Sequence, residues 1–233
     1  MKAQRLRVRY RVSAEATALS QRQIIRAWQE AAEASGLPLA YSQARRATPQ
    51  ISIAAPLPQG ATSDCELADV FLSERIAPRD LPTLLSPHLP SGLEILTAWE
   101  VGLTAPSLQS QLRWAEYEVE VPAGDLGPDA ARLAVDRLLA ARTLPWEQRR
   151  ETKVRRYDLR PLVLTLQLRG EECGRLRLHM RLRAEQEMTG RADQVVAALG
   201  LPPAARTHRL LLHVQETSPA VIAYRRLGQP NPH

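Results

Sequence analysis

Arginine and apolar residues alternate without a break from Arg5 to Val12: Leu6, Val8, Tyr10 and Val12 against Arg5, Arg7, Arg9 and Arg11. A period of two is the mark of a strand with one apolar face. Whatever fold the chain adopts must cover that apolar face and must also accommodate four guanidinium groups on the other.

The order of elements after this strand narrows the fold. Ser20 followed by Gln23 reads as a capping box, so a helix begins there, with Ile24, Ile25, Trp28, Ala31 and Ala32 as its buried stripe. Gly36 and Pro38 end it. Residues 50–55 and 65–72 read as strands, 78–89 as a short helix with Leu81, Leu84 and Leu85 inward, and 93–101 as a strand. The sequence β-α-β-β-α-β is that of the split βαβ, ferredoxin-like unit, with both helices on one face of the sheet and the other face open.

After a linker at 103–111 the same order returns. Ala115, Tyr117, Val119 and Val121 alternate with Glu116, Glu118 and Glu120. A helix over 128–141 has Pro at its first turn and Leu133, Leu138 and Leu139 inward. The polar, basic stretch 146–157 reads as an edge strand. Residues 162–169 and 174–183 form a hairpin, 192–199 a helix, and 206–214 the last strand, while the tail QPNPH reads as disordered. The expectation is an α+β protein of two tandem ferredoxin-like (βαββαβ) units with antiparallel sheets, residues 1–106 and 107–233.

Two Cys lying 108 positions apart and five His without ligand spacing argue against zinc, iron–sulfur and disulfide-stapled classes, and no cofactor or metal is expected. The N-terminus is no signal peptide and no apolar run is long enough to span a bilayer, so the protein is expected in the cytoplasm, off the membrane. There is no GxxxxGK[ST], GxGxxG or GxSxG.

The charge permits a polyanionic partner but does not demand one. The net charge is +6, with +1 through position 112 and +5 after it. Much of that excess is one cluster: Arg149, Arg150, Lys153, Arg155, Arg156 and Arg160, against Glu151 and Asp158. Trp146 and Tyr157 bracket it and are suited to stack bases. The cluster reads either as a phosphate-binding segment or as an edge strand kept soluble by charge. The Arg5–Arg11 stripe has two readings as well: a phosphate-tracking platform on the open sheet face, or a solvated face paired with Glu66, Glu94 and Glu100. Arg175, Arg177, Arg181 and Arg183 are expected to face Glu116, Glu118 and Glu120 as a cross-strand ladder. Asp158 and Arg160 are the weak candidates for a catalytic pair, an Arg-held carboxylate acting as base; the bland reading is a structural pair at the hairpin entrance.

A family resemblance rests on GLPLAYS, PQIS and PLPQGATS in the first half, YDLRPLV at 157–163, and AALGL followed by RTHR near the end. In that order they resemble the radical-SAM-associated family of unknown function, found fused to or encoded beside cobalamin-binding-type radical SAM proteins. YDLRPLV is similar to that family's Asp-(Ile/Leu)-Arg-Pro motif. The departures are Gln21 and Gln23 where the family has His and Asp, and ARRATP, which carries Arg45 and Arg46, where it has GFNPRP. The resemblance implies a radical SAM protein or an RNA as partner. The expected function is a non-catalytic accessory protein that binds RNA or presents a substrate, with Arg45 and Arg46 counted among the nucleic-acid-binding residues. The alternatives are an RNA-processing or RNA-modifying enzyme using Asp158 in a cleft between the halves, and a protein-only assembly factor with a broad apolar patch.

Overall fold

The computed structural model describes residues 1–124, 127–150 and 153–215, with the side chains of 149, 150 and 153 outside the description. The tail QPNPH lies outside the described residues as well. The protein is a mixed α+β structure around a mostly antiparallel sheet.

The Arg/apolar alternation forms β1 (Gln4–Val12), and the Ser20–Gln23 capping box opens α1 (Gln21–Ala34). Then follow β2 (Ile51–Ile53), β3 (Thr62–Leu72), α2 (Asp80–Leu85) and β4 (Leu93–Val101). The segment expected as a linker contains a short helix, α3 (Leu108–Gln111). The second half consists of β5 (Leu112–Pro122), α4 (Pro128–Ala140), β6 (Pro145–Arg150), β7 (Lys153–Asp158), β8 (Val163–Glu172), β9 (Arg175–Arg183), α5 (Ala192–Ala198) and β10 (Arg206–Val214).

Eight strands make one sheet in the order β4-β1-β3-β10-β5-β9-β8, with β2 also on β3. The sequence led us to expect two sheets. Instead β3 and β10 pair in parallel, His208 with Thr62 and Arg209 with Ser63, and weld the halves together. β3 can do this because it is long: β2 takes Ala68–Val70 of its outer edge, which leaves the start of that edge free for β10.

The two cores lie on opposite faces of this sheet. Ala68, Val70 and Leu72 pack with Leu6, Val8, Trp28 and Leu81 under α1 and α2. Cys65 and Leu67 pack instead with Tyr117, Val135, Leu178 and Val195 under α4 and α5. Consecutive strand residues point to opposite faces, so β3 contributes to both cores. Leu84 and Leu133, expected inward, are 41% and 49% exposed. Each turn of a short amphipathic helix offers more apolar side chains than its buried stripe holds, and Leu81, Leu85, Val135 and Leu138 take the inward places.

The face of β1 expected to be open is closed at one end. Arg5 and Arg7 are 3% and 1% exposed, and both grip Asp69 of β3 at 2.6 and 2.8 Å. Arg5 also donates to the carbonyls of Ala105 and Pro106, and Arg7 to Gln111 Oε1 at 3.0 Å. The crossover between the halves thus lies down on the first half's sheet and is held there by buried guanidinium groups. Among the described residues, of the four Arg only Arg11 takes an expected partner, binding Glu94 and also Asp64; Glu100 instead binds Gln4 and Arg75. The alternation was legible, whereas a carboxylate 64 residues away at Asp69 was not.

Glu66 is spoken for by the other half. Arg209 of β10 donates to both its oxygens at 2.9 and 3.0 Å, to Tyr117 Oη at 3.1 Å and to the Pro56 carbonyl at 2.7 Å. Desolvation works against the Arg209 charge, but Glu66 and Tyr117 outweigh it and raise its affinity for the proton. Burial and the Glu66 charge push the neighbouring Cys65 thiol up to about 11. At the rim of the seam His208 bridges Thr62 Oγ1 at 2.7 Å and Asp64 at 3.3 Å. Partial burial raises the Asp64 carboxyl, but Arg11 and His208 prevail and hold it below the usual carboxylate range.

The cross-strand ladder of the second half forms as the alternation implies, with Arg175 on Glu120, Arg177 on Glu118 and Arg181 on Glu116. Arg183 turns to Glu185 instead. The β8–β9 turn is shorter than expected. β8 runs on to Glu172, and the chain reverses through Cys173 and Gly174 at φ 51° and 71°, the two left-handed residues of a hairpin turn whose twist matches its strands.

Two outcomes are expected in solution. Arg209→Met strands a buried Glu66 and costs about 3–5 kcal/mol in urea unfolding, whereas Arg175→Met removes an exposed rung worth about 0–1 kcal/mol. In a thiol titration of the native protein, exposed Cys173 reacts quickly and buried Cys65 only on unfolding.

Candidate nucleic-acid interface

The basic stretch expected as one edge strand is a hairpin. β6 and β7 pair only with each other and form a separate two-stranded sheet. A strand this rich in like charges gains little by joining a packed sheet, and folding back on itself lets Glu147 meet Arg156 at 2.9 Å.

Register divides its side chains. Trp146 stands opposite Tyr157 and Gln148 opposite Arg155, while Glu147 faces Arg156 and Arg149 faces Val154. Opposed residues share a face and successive ones alternate, so Trp146, Gln148, Arg155 and Tyr157 form one side. That side leans on the body. Tyr157 Oη donates to Gln194 of α5, and Arg155 reaches the Glu187 carbonyl at 3.3 Å with its guanidinium 5.5 Å from the Tyr157 ring centre. Partial burial raises the Tyr157 hydroxyl's hold on its proton, against the opposing effects of Gln194 and Arg155. On the other side Val154 is 52% exposed and the Arg156 side chain 81% exposed. Arg150 stands opposite Lys153 by register; the side chains of Arg149, Arg150 and Lys153 are outside the described residues.

Asp158 and Arg160 do not pair with each other through their side chains. Asp158 Oδ1 accepts the backbone N–H groups of Leu144 and Arg160 at 2.7 and 3.0 Å. Arg160 donates to the carbonyl of Val163 at 2.8 Å and to that of Leu139 at 3.1 Å. Leu159 between them is fully buried, and its N–H binds the Leu144 carbonyl. The segment YDLRP is therefore the root of the hairpin: it ties both strands' ends to the last turn of α4 and to the start of β8. Arg160 belongs to this root and not to the exposed cluster.

Arg45 and Arg46 lie on the α1–β2 connection, far along the chain from the hairpin, and are exposed. His208, which the sequence reading set aside, is the polar bridge across the β3–β10 seam. His213 stacks on Trp114 with ring centres 4.5 Å apart, and Arg181 lies 4.1 Å from the same Trp ring. Strand pairing across 67 or more positions produced these contacts, and no local spacing signals them. Among the described residues no three His, Cys, Asp or Glu come together as a metal site. Nor is any helix there long and apolar enough to cross a membrane.

A family model described as "Uncharacterized protein conserved in bacteria (DUF2344)" matches residues 5–192. No curated protein matches the sequence. Among solved structures the fold is similar to a chain of a Cbf5-Nop10-Gar1 complex, at 9% identity over 91% of this chain and 50% of that one, with a TM-score of 0.52. An H/ACA RNP bound to a substrate RNA containing 2'-deoxyuridine matches at 10% identity over 90% of this chain and 49% of that one, TM-score 0.45. The archaeal box H/ACA sRNP Nop10-Cbf5 complex matches at 9% identity over 91% and 49%, TM-score 0.45. The chain spans about half the length of these chains, and at 9% identity the likeness to the Cbf5-Nop10-Gar1 chain is one of fold.

The root predicts a clear split between two substitutions. Asp158→Asn keeps an acceptor for the two N–H groups and changes the melting temperature little. Asp158→Ala leaves them unpaired and costs about 1–3 kcal/mol in thermal or urea unfolding.

Proposed function

The chain belongs to the family of uncharacterised proteins conserved in bacteria, and from that premise we propose that it is a non-catalytic accessory protein that binds RNA through the β6–β7 hairpin. The observation that carries this is the hairpin itself, a basic element that adds nothing to either core and is anchored by a dedicated root. Arg155 and Arg156 are both exposed and point to opposite sides, so each face has a cation for a phosphate, although Arg156 must be shared with Glu147. On the side that leans on the body the part-exposed Trp146 is the ring left for a base, Tyr157 being held by Gln194 and Arg155. Arg149, Arg150 and Lys153 complete the cluster in sequence.

The repeated strand order supports reading each half as a ferredoxin-like unit, residues 1–106 and 107–233. Within the halves it is β4-β1-β3-β2 and β10-β5-β9-β8. The fold shared with the Cbf5-Nop10-Gar1 chain is in keeping with an RNA-related role but does not carry it. The YDLRPLV resemblance supports a radical SAM protein as the partner to which the RNA is presented. An enzyme using Asp158 is the less favoured reading, because that carboxylate is already engaged in holding backbone N–H groups. With a cytoplasmic setting, the RNA partner is at hand.

Titration with single-stranded RNA at two salt concentrations tests this. Three phosphate contacts give a log–log salt slope of about −2, at roughly 0.7 per phosphate. The Arg155→Glu/Arg156→Glu and Arg149→Glu/Arg150→Glu variants should bind more weakly and with shallower slopes. RNA binding that is undetectable at low salt, or unaltered in both variants, would refute the proposal.

A further inference from the structure

The hairpin occupies the connection between the first helix and the second strand of its half, α4 to β8. The corresponding connection in the first half, α1 to β2, carries Arg45 and Arg46 and has the same build on a smaller scale. It too is an antiparallel excursion. Tyr41 bridges to Pro49, the Ser42 N–H binds the Thr48 carbonyl at 2.9 Å, and the Thr48 N–H binds Ser42 Oγ at 3.1 Å. It too has an aromatic at its base and cations toward its tip. Tyr41 is 47% exposed, and Arg45 and Arg46 are exposed with no ion pair among the described residues.

We propose that residues 41–49 form a second nucleic-acid contact, with Arg45 and Arg46 on the phosphates of a single-stranded RNA and Tyr41 stacked on one of its bases. The choice of ligand rests on the reading of the hairpin as an RNA contact; the site itself does not.

Three observations carry it. First, the local charge is uncompensated along the chain: from Glu33 to Asp64 there is no acidic residue. Second, the loop is held in place before any ligand arrives. Its two ends clasp Phe71 of β3: Ala40 N–H binds the Phe71 carbonyl at 2.9 Å, the Phe71 N–H binds the Gln50 carbonyl at 3.1 Å, and Gln50 N–H binds the Ala40 carbonyl at 2.8 Å. A contact that is already ordered loses little entropy on binding. Third, Lys2 sits 4.1 Å from the centre of the Phe71 ring, which brings another cation to the strand that holds the loop. A half-exposed Tyr and two exposed Arg residues on one short loop are the combination that binds single strands without sequence preference, one group for the base and the others for the backbone. An acidic protein segment would use the Arg pair and leave the ring idle.

The test uses the full chain and a fluorescently labelled oligouridine, with polyglutamate as the competing polyanion. Tyr41→Ala should weaken oligouridine binding roughly ten-fold, within the range of one lost base stack. Arg45→Glu/Arg46→Glu should lower the salt slope by about 1.4, two phosphates' share. Both variants should unfold in urea at the same midpoint as the intact chain. If the loop variants bind as the intact protein does while Arg155→Glu/Arg156→Glu loses binding, the loop is no contact and the hairpin reading stands. If only the loop variants lose binding, the inference holds and the hairpin reading fails. If polyglutamate displaces oligouridine at equal charge and Tyr41→Ala is silent, the loop is a plain anion patch and the inference fails. It fails together with the hairpin reading if no oligouridine binds at low salt.

Discussion

The ion pair of Arg209 with Glu66 is the point on which the two halves depend. Their sheets meet along a parallel register of only two residue pairs. Two such pairs contribute few backbone hydrogen bonds, and the seam is made durable by side chains. Arg209 meets both oxygens of a carboxylate that is 1% exposed, a tyrosine and a carbonyl, so its charge is dispersed over four acceptors with none left to water. Such a pair adds little net stability over a well-packed apolar one, but losing either partner strands a charge. Its four contacts are met with β10 beside β3 in the register His208–Thr62 and Arg209–Ser63.

The second clamp is Arg5–Asp69–Arg7, which fastens the crossover. Together the two ionic clusters explain why helices on opposite faces still belong to one body. The seam aligns the sheets, and the buried guanidinium groups hold residues 105–111 on the first of them. The two connections that follow the first helix of each half stand outside this body. Both are polar antiparallel excursions, one short and one long.

Much of this was legible locally. The alternation at 5–12, the Ser20–Gln23 box, the Glu/Arg ladder and the order of most elements followed from periodicity and turn chemistry, because each is decided by neighbours within a few positions, whereas the ends of β2, β3, α2 and β8 lie elsewhere than expected. What escaped was whatever depends on a distant partner. Arg5 and Arg7 read as surface residues because nothing near them in sequence announces Asp69. The stretch 146–157 read as one strand because it is rich in charge and holds no Gly or Pro to punctuate it. Of the site residues, Trp146, Tyr157, Arg155 and Arg156 fall on the hairpin, whereas Asp158 and Arg160 are its footing. A carboxylate that caps backbone N–H groups and one that abstracts a proton look the same in sequence.

The seam also sets a timetable. Glu66 and Arg209 are 143 positions apart. At about 5–20 residues per second of synthesis, roughly 7–30 s pass between the appearance of the carboxylate and that of its guanidinium. During that interval the face of β3 bearing Cys65 and Leu67 lacks its finished core, and the start of its outer edge, beyond the part that β2 covers, has no strand beside it. The first half is made as a sheet with one finished side. The newborn chain is therefore most vulnerable to the wrong partner, another copy or a stray strand, until β10 arrives to complete the seam.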